Sequence, residues 1–125
     1  LRHLGAVSDY CGKPGAAKAV AKLATGRRTL YLVTHGGRTL SAGWCTVGRC
    51  QYYKVEPEAV VVGPIWTSEA ARGRGLATAA LQLALNEQVR RGRTLFYIDT
   101  EKKNHPAQRV FEKCGFGAPV ALYFR

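Results

Sequence analysis

Apolar positions recur along this chain with two periods, and the switches between them divide it into elements. Pro14 to Thr25 sets Ala16, Val20, Leu23 and Ala24 at helical spacing and stops at Gly26, which predicts a helix. Leu30 to Val33 carries the apolar, aromatic and β-branched residues of a strand. Gly36-Gly37 then turns the chain and Leu40 to Val47 returns, which predicts a hairpin. Gly48 to Glu56 is polar and aromatic and reads as a loop or a ragged strand end. Ala59 to Trp66 is a strongly apolar strand. Leu76 to Arg91 is a helix stopped by Gly92, with Arg90 and Arg91 where cations favour the dipole. Thr94 to Thr100 reads as a buried strand, Pro106 to Cys114 as a short helix, and Val120 to Phe124 as a last strand. Strand, helix, strand from 59 to 100 is a βαβ unit, so its two strands should run parallel and lie side by side or nearly so. No repeat, low-complexity tract or linker interrupts the pattern. The 125 residues suit one α/β domain, spanning 1–125, with a single core.

Two breaks in the pattern need a reason. Gly63-Pro64 interrupts the run "AVVVGPIW". Proline lacks the N–H of a strand ladder and glycine marks a bulge or a close backbone approach, so the strand either opens away from a neighbour here or ends at Val62 in a turn. The second break is "ARGRGLATAAL", residues 71–81, where two glycines and two arginines alternate and a helix begins at once. Each glycine inside a helix costs about 1 kcal/mol relative to alanine. At a helix entrance it instead lets backbone approach a ligand, and neither Gly73 nor Gly75 supplies a side chain to cap the free N–H groups. An anion would satisfy those donors and the positive end of the dipole together, with Arg72 and Arg74 beside it. The competing reading starts the helix earlier, with Ser68 as N-cap and Glu69 in its first turn, and leaves the glycines merely tolerated.

Charge narrows the partners. Nineteen Lys plus Arg against eight Asp plus Glu give +11, a field that attracts nucleic acid, phosphorylated cofactors or anionic substrates. The cysteines, Cys11, Cys45, Cys50 and Cys114, form no CxxC pair and no disulfide framework, and reduced thiols in a cytoplasm fit best. Cys45, Cys50 and His35 are too few for a zinc site, so no metal is expected. No apolar run reaches the roughly 18 residues of a membrane span, and no secretory leader precedes the first turn. The chain begins at Leu1 and has no Met, which reads as a piece lacking an N-terminal element.

The segment "ARGRGLA", with Arg72, Gly75 and Ala77, resembles the phosphate loop of the GNAT superfamily of acyl-CoA N-acetyltransferases. "NHPAQRVFEKCGF" resembles that family's second signature, through Asn104, Ala107, Phe111, Lys113, Gly115 and Phe116. The two fall in the expected order, and the resemblance covers roughly residues 59 to 116. It implies a central mixed sheet with helices on both faces and two middle parallel strands splayed into a V that holds acetyl-CoA. Carried over by residue, Arg72, Gly73, Arg74, Gly75, Leu76, Ala77 and Thr78 would bind the pyrophosphate. Ile65, Trp66 and Thr67 would hydrogen-bond the pantetheine arm like an added strand, and Asn104 and Phe111 would flank its other side. Phe111 departs from the pattern, because many members have a Tyr there to protonate the leaving thiolate. Tyr97 and Tyr123 are substitutes, neither favoured.

N-acetyl transfer needs a neutral amine, an oriented thioester and donors for the oxyanion, which backbone N–H groups near Ile65 to Thr67 would supply. Asp99, ending the second parallel strand in "FYIDT", is the first choice for the base or for an anchor of the acceptor ammonium. A turn or capping carboxylate is the equal alternative. Glu58 and Glu56 are the runners-up. His105, exposed in a first turn, is more often inert, and Asn104 also reads as the N-cap of its helix, with Gly115 and Phe116 closing it. The expected activity is acetyl transfer from acetyl-CoA to an amine, the basic balance leaning towards an anionic acceptor. Nucleic acid is an admissible partner but not favoured, a membrane is not expected, and a homodimer is admissible. The rival reading is a non-catalytic module that holds CoA or RNA phosphates on the same fold.

Overall fold

The computed structural model describes residues 26–120. The helix expected over Pro14 to Thr25, Cys11, Tyr123 and all but the first residue of the strand expected over Val120 to Phe124 lie outside the described residues. Val120 itself is not in a strand.

Four strands form one sheet in the order β1 (Arg28–His35), β2 (Arg38–Val47), β3 (Val60–Thr67) and β4 (Phe96–Ile98). The expected hairpin forms, because Gly36 and Gly37 both adopt positive φ, 57° and 77°, the conformation a two-residue turn between twisted strands requires. β1–β2 and β2–β3 are antiparallel, and β3–β4 are parallel, joined through helix α1 (Leu76–Arg90) as the βαβ reading requires. Helix α2 (His105–Lys113) follows β4.

β4 is shorter than its apolar run suggests. Only three residues pair, Val60↔Phe96, Val61↔Tyr97 and Val62↔Ile98, and these β4 residues are half-buried rather than buried. A strand's length depends on its neighbour, and β3 stops offering one at Gly63. β3 itself does not end at Val62. It continues through Gly63 and Pro64 to Thr67, paired to β2 on its other edge.

The buried centre is Cys45, Val60, Val62, Leu81 and Leu85, with Ile65, Phe96, Ile98, Val110, Phe111 and Phe116 packed around it. Both helices therefore cover the sheet face that carries Val60 and Val62. Leu81 is fully buried, worth about 1.5–3 kcal/mol on transfer from water. The opposite face carries Ala42, Trp44 and Val61, also buried. Gly43 lies opposite Tyr31, and the Tyr31 ring crosses the space a Cβ at Gly43 would need.

Both helices stop in the same way. Past α1, Gly92 N–H donates to Val89 O and Arg93 N–H to Gln88 O, at 2.9 and 3.1 Å. Past α2, Gly115 N–H donates to Glu112 O and Phe116 N–H to Phe111 O, at 3.0 and 3.1 Å. Each is a Schellman motif on a left-handed glycine. The second also sets the Phe111 and Phe116 rings 6.2 Å apart, as the sequence predicts.

The loop between β2 and β3 is fixed at its neck, where Gly48 N–H donates to Ala59 O at 2.8 Å and Ala59 N–H to Glu56 O at 3.0 Å. Gly48 has φ 74°, and a Cβ there would meet the Pro57 carbonyl oxygen at 2.5 Å. Gly48→Ala should thus destabilise the fold by about 1–3 kcal/mol, the range for overpacking or a strained backbone position. Urea unfolding checks it; an unchanged midpoint would mean the neck yields freely.

Candidate active site

The cleft begins where the parallel ladder stops. Val60 N–H donates to Leu95 O at 2.9 Å, so Val60 and Val62 turn their peptide groups towards β4. The next residue on that edge is Pro64, which has no N–H to give. Cys45 pairs with Val62 but Gly43 with Ile65, so β3 holds one extra residue at Gly63-Pro64. That residue resets the alternation. Ile65 stays on the core face, and Trp66 turns its carbonyl towards β2, where Ser41 Oγ donates to it at 2.9 Å. By the same alternation, the peptide groups of Ile65 and Thr67 face the β4 side, beyond the reach of β4. The Thr67 carbonyl there accepts Arg72 Nε at 3.3 Å, which draws the following loop back over the strand end. The Thr67 hydroxyl lies 3.3 Å from Ser41 Oγ, and Trp66 is partly exposed.

After β3 the chain makes one 3-10 turn, Glu69–Ala71, flanked by Ser68 without any side-chain cap. It then leaves helical geometry before α1 starts at Leu76, so the earlier helix start is overturned. Gly73 and Gly75 have φ of 78° and 72°, with open space where a side chain would stand. Backbone conformation, not crowding, selects glycine at both. Gly75 is the N-cap and offers no side chain. The first bond of the helix runs from Ala79 N–H to Gly75 O at 3.1 Å. The backbone N–H groups of Leu76, Ala77 and Thr78 find no backbone acceptor among the described residues. Arg72 and Arg74 are exposed beside them, and Leu76, Ala77 and Thr78 are half-buried. The loop residues are thus together, with free donors on one side and the open edge of β3 leading into them.

α2 starts differently. Asn104 Oδ1 accepts the Ala107 N–H at 3.2 Å, so its side chain is engaged as a cap. Cys114 Sγ lies 3.6 Å from the Thr78 carbonyl, fastening the end of α2 to the first turn of α1, and burial pushes its thiol up. Phe111 is half-buried against the core and Phe116, on the helix face it shares with Val110 and Cys114.

Asp99 follows directly after Ile98, the last residue of the ladder, and is exposed. Its Oδ2 accepts the Tyr53 hydroxyl at 2.8 Å. Burial, then that hydrogen bond, raises the Tyr53 phenol well above its ordinary value, so it stays a donor. The Tyr97 hydroxyl donates to Glu56 Oε1 at 2.7 Å, a bond that likewise pushes its phenol up, and the Tyr53 and Tyr97 rings lie 5.9 Å apart. Sequence reasoning missed Tyr53; its only signal was a pair of adjacent tyrosines, Tyr52 exposed and Tyr53 half-buried, in a polar loop. Glu58 is exposed nearby in sequence and acts on Tyr97 through its charge. Among the described residues no three His, Cys, Asp or Glu side chains gather as a metal site. Cys45 is buried, which pushes its thiol up to about 11. His35 and His105 are exposed. No helix among the described residues is long and apolar enough to cross a membrane.

Residues 11–116 match the model of the acetyltransferase (GNAT) family. No curated protein matches the sequence. Among solved structures, the fold is similar to AAC(6')-Iy in complex with a CoA-S-monomethyl-acetylneamine bisubstrate analogue, at TM-score 0.72 and 16% identity, over 99% of this chain and 91% of that one. It is similar to an acetyltransferase of Clostridium acetobutylicum solved with acetyl-CoA, at TM-score 0.66 and 18% identity, over 91% and 73% of the two chains. It is also similar to the ribosomal-protein-S18-alanine N-acetyltransferase of Escherichia coli, at TM-score 0.65 and 18% identity, over 82% and 61%. At these identities the likeness shows the fold.

The cap contact gives a test of Asn104. Asn104→Ala should lower stability by about 1 kcal/mol, the usual worth of an N-cap, while Asn104→Asp, which keeps an acceptor, should retain it. Thermal melting of the two variants checks this; equal losses in both would remove the cap from the account.

Proposed function

The chain belongs to the acetyltransferase (GNAT) family, and we propose that it moves an acetyl group from acetyl-CoA to an amine. The observation that carries this reading is the edge of β3 from Ile65 to Thr67, which β4 leaves unpaired and which leads into a helix N-terminus with no cap of its own. An extended amide-bearing arm completes the edge as a strand would. A pyrophosphate completes the helix N-terminus, with Arg74 and Arg72 adding charge. The neighbouring folds solved with CoA, with acetyl-CoA and with a CoA-linked analogue support the same assignment.

The bound thioester supplies an activated acetyl carbon. The residues of this chain would hold the arm along Ile65, Trp66 and Thr67, and the backbone N–H groups of Ile65 and Thr67 would meet the carbonyl oxygen as it gathers charge. A C–N bond forms as the C–S bond breaks, the amine loses a proton and the departing sulfur gains one. Asp99 takes the amine proton, directly or through water, or anchors the ammonium before it is lost. Glu56 and Glu58 stand behind it as the runners-up. Phe111 has no proton to offer and Tyr97 already donates to Glu56, which leaves Tyr123, outside the described residues, or solvent to protonate the sulfur.

The second reading, a module that holds CoA or RNA phosphates without catalysis, draws on Phe111 packed in the core with no donor. Free thiol released from acetyl-CoA with amino sugars, polyamines and peptides separates the two. Turnover with any amine supports the enzyme; CoA binding without release supports the module.

Gly75→Glu should abolish CoA binding in calorimetry by bulk and charge, with an added loss of about 1–2 kcal/mol in stability because glutamate tolerates the left-handed conformation poorly. Arg74→Ala should weaken CoA by about 1–3 kcal/mol, less in high salt. Unchanged affinity in both would overturn the phosphate loop. Asp99→Asn keeps the shape and removes the charge, so turnover should fall roughly 10²–10⁴-fold with CoA affinity retained. A variant as fast as the parent at neutral pH would move the role to Glu58, Glu56 or water.

A further inference from the structure

β4 and the loop from Gly48 to Ala59 grip each other through two reciprocal contacts. The loop's Tyr53 donates to Asp99 of the strand end, 46 residues away in sequence, and the strand's Tyr97 donates to Glu56 of the loop. The two rings lie tilted at 45° between these contacts. The loop is closed at its neck by the Gly48–Ala59 bond, so Tyr53 reaches Asp99 from a fixed base. Asp99 by itself is an exposed side chain at a strand end, free to turn between rotamers.

We propose that Tyr53 is a positioning residue for acetyl transfer: its hydroxyl, 2.8 Å from Asp99 Oδ2, holds the carboxylate at the mouth of the β3–β4 cleft and leaves Oδ1 for the acceptor amine. This rests on the acetyl-transfer reading above and on Asp99 as the group that meets the amine. One oxygen accepts the phenol, and among the described residues no contact engages the other. Beside Asp99, the Cys50 thiol and the Tyr97 ring meet Tyr53, and Tyr97 in turn meets Glu56 and Glu58. Of these only the Cys50 thiol also shares the Tyr53 hydroxyl. Tyr53 touches no reacting atom; it acts through Asp99.

Tyr53→Phe keeps the ring contact with Tyr97 and removes only the O–H. With an amine that the parent acetylates, kcat/KM for the amine should fall on the order of 10- to 100-fold, the worth of one hydrogen bond to a charged group. The loss should fall on kcat and KM for the amine, with KM for acetyl-CoA at the parent's value. CoA affinity should stay at the parent's value. On an Asp99→Asn background the same change should add little further loss, because two residues acting as a unit are not additive. A Tyr53→Phe enzyme with the parent's kcat/KM for the amine would overturn the inference while leaving acetyl transfer standing. So would a loss of stability with the parent's rate per folded molecule, which would make Tyr53 a loop anchor only, or a full additional loss in the double variant. A parent that binds CoA yet releases no thiol with any amine would overturn the underlying reading, and this inference with it.

Discussion

One extra residue in β3 decides the shape of this sheet. Between Val62 and Ile65 the strand carries one residue more than its partner β2 allows, at Gly63-Pro64. Without it, a strict alternation would turn Ile65 out of the core. With it, Ile65 packs inward and the peptide groups of Ile65 and Thr67 turn to the side that β4 has left. Proline at the first unpaired position removes a donor that would otherwise favour continuing the ladder. The parallel pair is therefore short by construction, and the shortness makes a slot rather than a defect. A longer ladder would fill it.

The helices show the same logic from the other side. α1 and α2 end identically, each on a left-handed glycine with both Schellman bonds made, yet they begin differently. α2 has Asn104 to answer an orphan donor, and α1 has nothing. The chain can make caps and uses one 29 residues later, so the bare N-terminus of α1 is a local choice. Its position, a few residues past the open edge of β3, joins a row of strand donors and acceptors to a cluster of helix donors. Cys114 and the Thr78 carbonyl fasten α2 to the first turn of α1, which keeps the two helix ends in register.

Much of this was legible. Period-two and period-3.6 runs predict the hairpin, β3, both helices to within a residue at each end, and the parallel relation of β3 and β4. The glycines of 73–75 and the Asn104-to-Phe116 motif were legible because local backbone chemistry dictates them. Two features were not. The length of β4 depends on where another strand stops pairing, so a strand read over the seven residues 94–100 gives three in the ladder. The Tyr53–Asp99 contact depends on the path of a polar loop, and no periodicity reports a hydrogen bond made across 46 residues. Whether Gly63-Pro64 bulged or ended the strand needed the register with β2, which only the paired structure supplies.

Net charge is a poor guide to what meets Asp99. The chain carries +11, and that surplus suits phosphates. But exposed charges are screened beyond about 8–10 Å at physiological ionic strength, so a small cationic or anionic molecule in the cleft feels its immediate neighbours most. Those neighbours differ along the walls. The loop after β3 presents Arg72 and Arg74, whereas the β4 end presents Asp99, and the loop that grips it carries Glu56 and Glu58 alongside Arg49 and Lys54. On the acetyl-transfer reading, the two arginines suit phosphates and the Asp99 carboxylate suits an ammonium. On that reading the global surplus draws the phosphorylated donor, and the side chains at the cleft, not the total charge, select the acceptor.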